Sequence, residues 1–143
     1  MERVLGVETE YGLSARASGR RLSAPEAAEL LFRPVVAEHR SSDAFLANGG
    51  RLYLDVGAHP EYATPECRTP RGVLVAERAG DQLLADLAVR ATALAASTGT
   101  EVAFRLFKNN VDGFGNSWGC HENYLVTREL ELAGAVELLT SFL

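Results

Sequence analysis

Lysine is almost missing from this chain: of its 14 basic residues only Lys108 is a lysine, and the rest are arginine. Cysteine is scarce as well. Cys67 and Cys120 are the only two in 143 residues, too few for a disulfide scaffold and without the paired spacing of a zinc site. The expectation is two reduced, buried thiols. With three histidines and no second His or Cys suitably placed beside His121, zinc is excluded by spacing. No apolar run approaches the ~20 residues of a membrane span, and Met1-Glu2-Arg3 lacks the pattern of a signal peptide. A soluble, cytoplasmic protein without a membrane partner is expected. The net charge of −5 disfavours a nucleic-acid partner. Through Arg51, seven arginines balance seven acids, so the acidity lies in the rest of the chain.

What is present is enough for one domain with a real core, since nearly half the residues are apolar. Arg3 to Thr9 reads as a first strand and Leu13 to Ala17 as a second extended piece, with a turn at Gly19. Ser23-Ala24-Pro25-Glu26 is a capping-box sequence, which predicts a helix from Ala24 to Ala37 with Ala28, Leu31, Phe32 and Val35 on one face. Residues 38–50 are polar and close in Asn48-Gly49-Gly50, a turn signal. Thr69-Pro70 opens a long helix over residues 71–97, where Leu83, Leu87, Arg90 and Leu94 follow the period. Glu101 to Phe107 reads as a strand, Lys108 to Trp118 as a Gly/Asn-rich loop, and Gly119 to Val126 as a further strand. Glu129 to Leu143 looks helical and ends in an apolar tail, which suggests a piece of something longer.

The chemistry concentrates in Arg51-Leu52-Tyr53-Leu54-Asp55-Val56-Gly57 and the following His59-Pro60-Glu61-Tyr62-Ala63-Thr64-Pro65-Glu66. As a strand of period two, the first run sets Arg51, Tyr53 and Asp55 on one face, with Leu52, Leu54 and Val56 toward a core. A cation, a phenol and a carboxylate in a row suit phosphate and metal. Glu8 and Glu10 share a face of the first strand and repel each other unless a cation lies between them. Mg²⁺ takes hard oxygen ligands of this kind, and Glu61 adds a carboxylate. A general base at Asp55 is one reading and a turn-capping aspartate the other. His121 and Asn123 share one face of their strand, with Cys120, Glu122 and Tyr124 on the opposite one.

Gly6-Val7-Glu8-Thr9-Glu10-Tyr11-Gly12, the Asn48–Glu66 run, Phe107-Lys108-Asn109-Asn110 and Gly119-Cys120-His121-Glu122-Asn123-Tyr124 together resemble the Pup–protein ligase (proteasome accessory factor A) family. These are carboxylate-amine ligases related to glutamine synthetase. The resemblance implies an α+β fold, a glutamine-synthetase-like antiparallel sheet packed by helices, of which residues 1–143 are the N-terminal part of the catalytic domain. It implies Mg²⁺-ATP as cofactor and the modifier protein Pup as partner. Pup's C-terminal glutamate is activated as an acyl phosphate and joined to lysines of protein substrates, marking them for the proteasome.

Carried over by motif, Glu8, Tyr53 and Glu61 are the implied metal ligands, Arg51 and Thr64 the ATP contacts, and Asp55 the proton acceptor for the lysine amine. Glu10 is a further metal candidate, and His121 resembles a substrate- or nucleotide-side histidine. Glu61 and Thr64 have opposite parity, so a bend is expected between them. The alternatives are the family's Pup deamidase and depupylase, or a non-catalytic fragment that binds nucleotide or Pup. The deamidase has an extra loop before the first helix, whereas here a dozen residues separate Glu10 from Ser23. A separate polypeptide carrying the C-terminal remainder is an implied partner of a chain this short.

Overall fold

The computed structural model describes residues 4–142; the Arg3 start of the expected first strand and Leu143 lie outside them. The elements in chain order are β1 (Leu5–Glu10), β2 (Gly12–Ala17), β3 (Arg20–Arg21), α1 (Ala24–His39), β4 (Asp43–Phe45), β5 (Arg51–Asp55), β6 (His59–Ala63), α2 (Pro70–Ser97), β7 (Val102–Phe107), β8 (Cys120–Tyr124) and α3 (Leu132–Phe142). Two antiparallel sheets result, one of order β4-β5-β6-β1-β8 and one of order β3-β2-β7. The architecture is α+β, as expected. No helix among the described residues is long and apolar enough to cross a membrane.

Local chemistry explains the helix ends. The backbone N–H and the hydroxyl of Ser23 both donate to Glu26 Oε2, at 2.8 and 2.7 Å. Glu26 is held down at about 2 by its bond from Arg20 and then by those from Ser23. Thr69 Oγ1 accepts from Gly72 N–H at 3.0 Å and opens α2, so one donor left free by the helix start is satisfied. The apolar face forecast for α1 is the one buried, with Ala28, Leu31, Phe32 and Val35 all inside.

The buried stripe of α2 differs from the forecast. It consists of Ala76, Gly80, Leu84, Leu87, Ala91 and Ala95, while Leu94 is 39% exposed and Arg90 reaches across to Glu38 at 2.9 Å. Small residues let α2 approach its neighbours closely, so the contact line runs through alanine and glycine as well as Leu84 and Leu87. The two helices bury the apolar side of the sheets, with Leu52, Tyr62, Leu31, Phe32 and Leu84 at the centre.

Three further expectations change. β5 ends at Asp55, and Val56 is 88% exposed in the following turn rather than in the core. That turn needs positive φ at Gly57 (88°) and Ala58 (64°), and it reverses the chain into β6. Residues 59–63 are therefore a regular strand, and Asp43–Phe45 within the polar segment forms another. Cys67 is buried as expected, but Cys120 is exposed on β8. The closing helix begins at Leu132, three residues later than forecast.

Candidate metal and nucleotide site

Register decides what the larger sheet presents to its open side. Residues paired directly across strands point to the same face. Tyr53 lies opposite Glu61, and Glu61 opposite Glu10. Arg51 lies opposite Ala63, which faces Glu8, which faces His121. Asp55 lies opposite His59. One face thus gathers Arg51, Tyr53, Asp55, His59, Glu61, Glu8, Glu10, His121 and Asn123, while Leu52, Tyr62 and Thr9 point back toward the helices.

Glu61 is the pivot. It is 2% exposed, and burial raises its pKa, with further upward pressure from the charges of Asp55, Glu10 and Glu8, opposed by a hydrogen bond from Tyr53. Ligand atoms of Glu8, Glu61 and His121 all lie within 4.8 Å of one another, and so do those of Glu10, Asp55 and Glu61. A buried carboxylate shared by two acidic clusters is unfavourable without a counter-charge. Hard oxygen donors in this number fit Mg²⁺, so the residues present suit the implied cation.

The surrounding contacts hold these groups in place. His59 Nδ1 is 2.8 Å from Glu10 Oε2, and its ring tilts against Trp118 at 5.9 Å between centroids. Asn123 Nδ2 donates to Glu8 Oε1 at 3.1 Å, and His121 Nδ1 is 3.5 Å from Glu8 Oε2. A Cβ on Gly119 would lie 2.7 Å from Glu10 Oε1, so a side chain here would make the carboxylate shift.

The expected roles map unevenly onto this geometry. Glu8 and Glu61 come together, and Glu10 joins Asp55 in the second cluster. Tyr53 stands beside the clusters as Glu61's hydrogen-bond donor, and burial raises its own pKa first, before that bond. Arg51 is engaged already: its guanidinium forms a two-point pair with Asp43, 2.8 Å from Nε to Oδ1, and stacks 4.2 Å over the Tyr53 ring.

Thr64 follows the last residue of β6. Its N–H donates to Val7 O at 2.9 Å in ladder fashion, but Val7 N–H donates to Thr64 Oγ1 at 3.0 Å instead of to a carbonyl. The hydroxyl therefore replaces the backbone acceptor just where β6 ends. It lines a cleft of about 420 Å³ with Gly6, Glu8, Glu66, Asn123 and Tyr124.

Two site residues had not been singled out. His59 was legible only after recognising a hairpin at Gly57, since it then alternates with Glu61. Asp43 had no signal of its own within a polar stretch.

Comparisons with known proteins place the chain in a family. The family profile described as Pup-ligase protein matches residues 3–143. The chain belongs to the Pup-ligase family. Among relatives of that family, the Pup–protein ligase of Corynebacterium diphtheriae is 51% identical over 143 residues, 99% of this chain and 30% of that protein. The Pup–protein ligase of Saccharomonospora viridis is 50% identical over 142 residues, 99% of this chain and 31% of that protein.

Two solved family structures are similar as well. One is the complex between the prokaryotic ubiquitin-like protein Pup and its ligase PafA, with a TM-score of 0.89 and 45% identity, covering 99% of this chain and 29% of that one. The other is the Pup ligase PafA in complex with ADP, with a TM-score of 0.65 and 47% identity, covering 85% of this chain and 26% of that one. The chain thus spans about 30% of the length of the curated family members it matches.

Proposed function

We propose that this chain forms the metal- and nucleotide-binding wall of a Pup–protein ligase, which joins the C-terminal glutamate of Pup to substrate lysines at the expense of ATP. The observation that carries the reading is Glu61, shared by two acidic clusters on the open face of a sheet in a chain that follows the family from residue 3 to residue 143. Glu8, Glu61 and Glu10, with Tyr53 and His121 beside them, would hold Mg²⁺, which neutralises phosphate charge when bound. Arg51 and Thr64 face the nucleotide. Arg51 exchanges the Asp43 carboxylate for phosphate oxygens, which the same planar fork accepts. The reaction activates the glutamate side chain as an acyl phosphate. Its second step needs an uncharged amine, whereas lysine is protonated at neutral pH. Asp55, at the tip of β5, takes that proton.

The chain spans about 30% of the family length, so turnover is tested with the remainder of the fold supplied. A second reading is a protein that binds nucleotide or Pup without turnover. The two separate in one experiment. The chain is mixed with Mg²⁺-ATP, Pup ending in glutamate and a lysine-bearing protein, with and without the C-terminal remainder of the C. diphtheriae relative. Conjugate formed only on complementation is the expected result. ADP binding with no conjugate in either mixture would favour the second reading, and release of Pup from a preformed conjugate would overturn the ligase direction. In the complemented mixture, Asp55→Asn should lower conjugation by about 100-fold while leaving ADP affinity within about twofold. Equal losses in both would remove the base role.

A further inference from the structure

The reverse side of β1 carries a charged network that the proposed chemistry does not use. Thr9 and Tyr11, which alternate with Glu8 and Glu10, point the other way and are 3% and 4% exposed. The Thr9 hydroxyl donates to Glu77 Oε1 and the Tyr11 hydroxyl to Asp81 Oδ1, both at 2.8 Å. Glu77 and Asp81 sit four residues apart on α2, where like charges repel. Lys108, just past the end of β7, resolves the conflict. Its ammonium donates to Glu77 and, at 2.9 Å, to Asp81, and it lies 5.7 Å from the centre of the Tyr11 ring. Arg78 also reaches Asp81, at 3.2 Å from the exposed side. Among the described residues Glu77 Oε2 is buried with no hydrogen-bond partner, and Lys108 brings positive charge to the Oε1 side of this carboxylate.

We infer that Lys108 is a positioning residue for the cation site: by bridging Glu77 and Asp81 it clamps Thr9 and Tyr11 onto α2 and so fixes where Glu8 and Glu10 stand on the opposite face of β1. Adjacent residues of a strand share one rigid peptide path, so a shift of Thr9 carries Glu8 and Glu10 with it. Outer partners of metal ligands commonly matter by ten- to a hundredfold in affinity. This role rests on the proposed metal reading of the open face.

The test is Mn²⁺ binding followed by electron paramagnetic resonance on the folded chain, with folding checked by circular dichroism at the same temperature. Wild type is expected to bind Mn²⁺, Lys108→Met to bind it at least about tenfold more weakly, and Lys108→Arg to recover most of the loss. If Lys108→Met does not fold, the charge-balanced Lys108→Met/Asp81→Asn variant takes its place, with the same weakening expected. A folded Lys108→Met, or that double variant, binding Mn²⁺ as tightly as wild type would overturn the positioning role while leaving the metal site intact. Absence of Mn²⁺ binding by wild type would instead remove the metal reading, and this role with it.

Discussion

Gly80→Ala should destabilise this protein markedly, although alanine is the best helix former and usually gains about 1 kcal/mol over glycine inside a helix. A Cβ at this position of α2 would lie 2.2 Å from Tyr62 Cδ1, 2.6 Å from Cε1 and 2.8 Å from Cγ. Those atoms belong to a ring that is 1% exposed and whose hydroxyl accepts from Asn48 Nδ2 at 3.3 Å. Overpacking of a tight core costs about 3 kcal/mol, a large share of the ~5–15 kcal/mol that holds a domain together. Tyr62 also follows Glu61 in β6, so displacing the ring disturbs the site. Gly134→Ala in α3, where nothing lies within 4 Å of the new carbon, is the control and should be neutral or stabilising. Urea denaturation of the two variants decides the point: equal midpoints for Gly80→Ala and wild type would show that α2 and β6 do not pack as described.

The second large effect is at Glu61, and it has two parts of opposite sign. Burial comes first, then the neighbouring carboxylates, in raising its pKa above the ordinary 4.5. A carboxyl whose folded pKa exceeds its unfolded value favours the fold below the unfolded pKa, and that contribution is lost as pH rises through the folded pKa. At neutral pH without a divalent cation, the ionised group therefore weighs against folding. Glu61→Gln removes the charge and can still accept from Tyr53. It should melt at a higher temperature than wild type in the metal-free state at neutral pH, with the difference shrinking toward pH 4.

Divalent cation reverses the order. Wild type should gain about 2.7 kcal/mol at a hundredfold excess over its Kd, while Glu61→Gln at the same concentration should gain almost nothing. Its Mn²⁺ affinity should fall by more than the ~100-fold associated with outer partners. Thermal melts with and without Mn²⁺ measure both parts, and a variant that melts lower in both conditions would contradict the account.

Much of the site was legible from period-two reasoning, because a strand leaves little choice about which side chains share a face. Arg51, Tyr53 and Asp55, and likewise Glu8 and Glu10, stand together for that reason. What could not be read was the order of strands across the sheet, which pairs β6 between β5 and β1 and so makes Glu61 common to both clusters. Proline at 60 does not break the strand at 59–63. Pro60 is accommodated there, its carbonyl accepting from Tyr11 N–H at 2.8 Å. The α2 stripe was placed correctly only at Leu87, because leucine spacing is conspicuous and alanine spacing is not, although close packing on Tyr62 needs the small residues. The Asp43 partner of Arg51 depends on a three-residue strand too short to carry a pattern.

The open face as a divalent-cation site is the central claim, and the three histidines give it a built-in control. His121 belongs to one cluster with Glu8 and Glu61, and His59 contacts Glu10 at 2.8 Å. His39 ends α1 beside Glu38, 3.9 Å away, off the sheet. Imidazole proton resonances followed by NMR during a substoichiometric Mn²⁺ titration should show His121 and His59 broadening together while His39 stays sharp. Broadening of His39 ahead of the other two, or no selective broadening at all, would contradict the assignment of this face as the metal site.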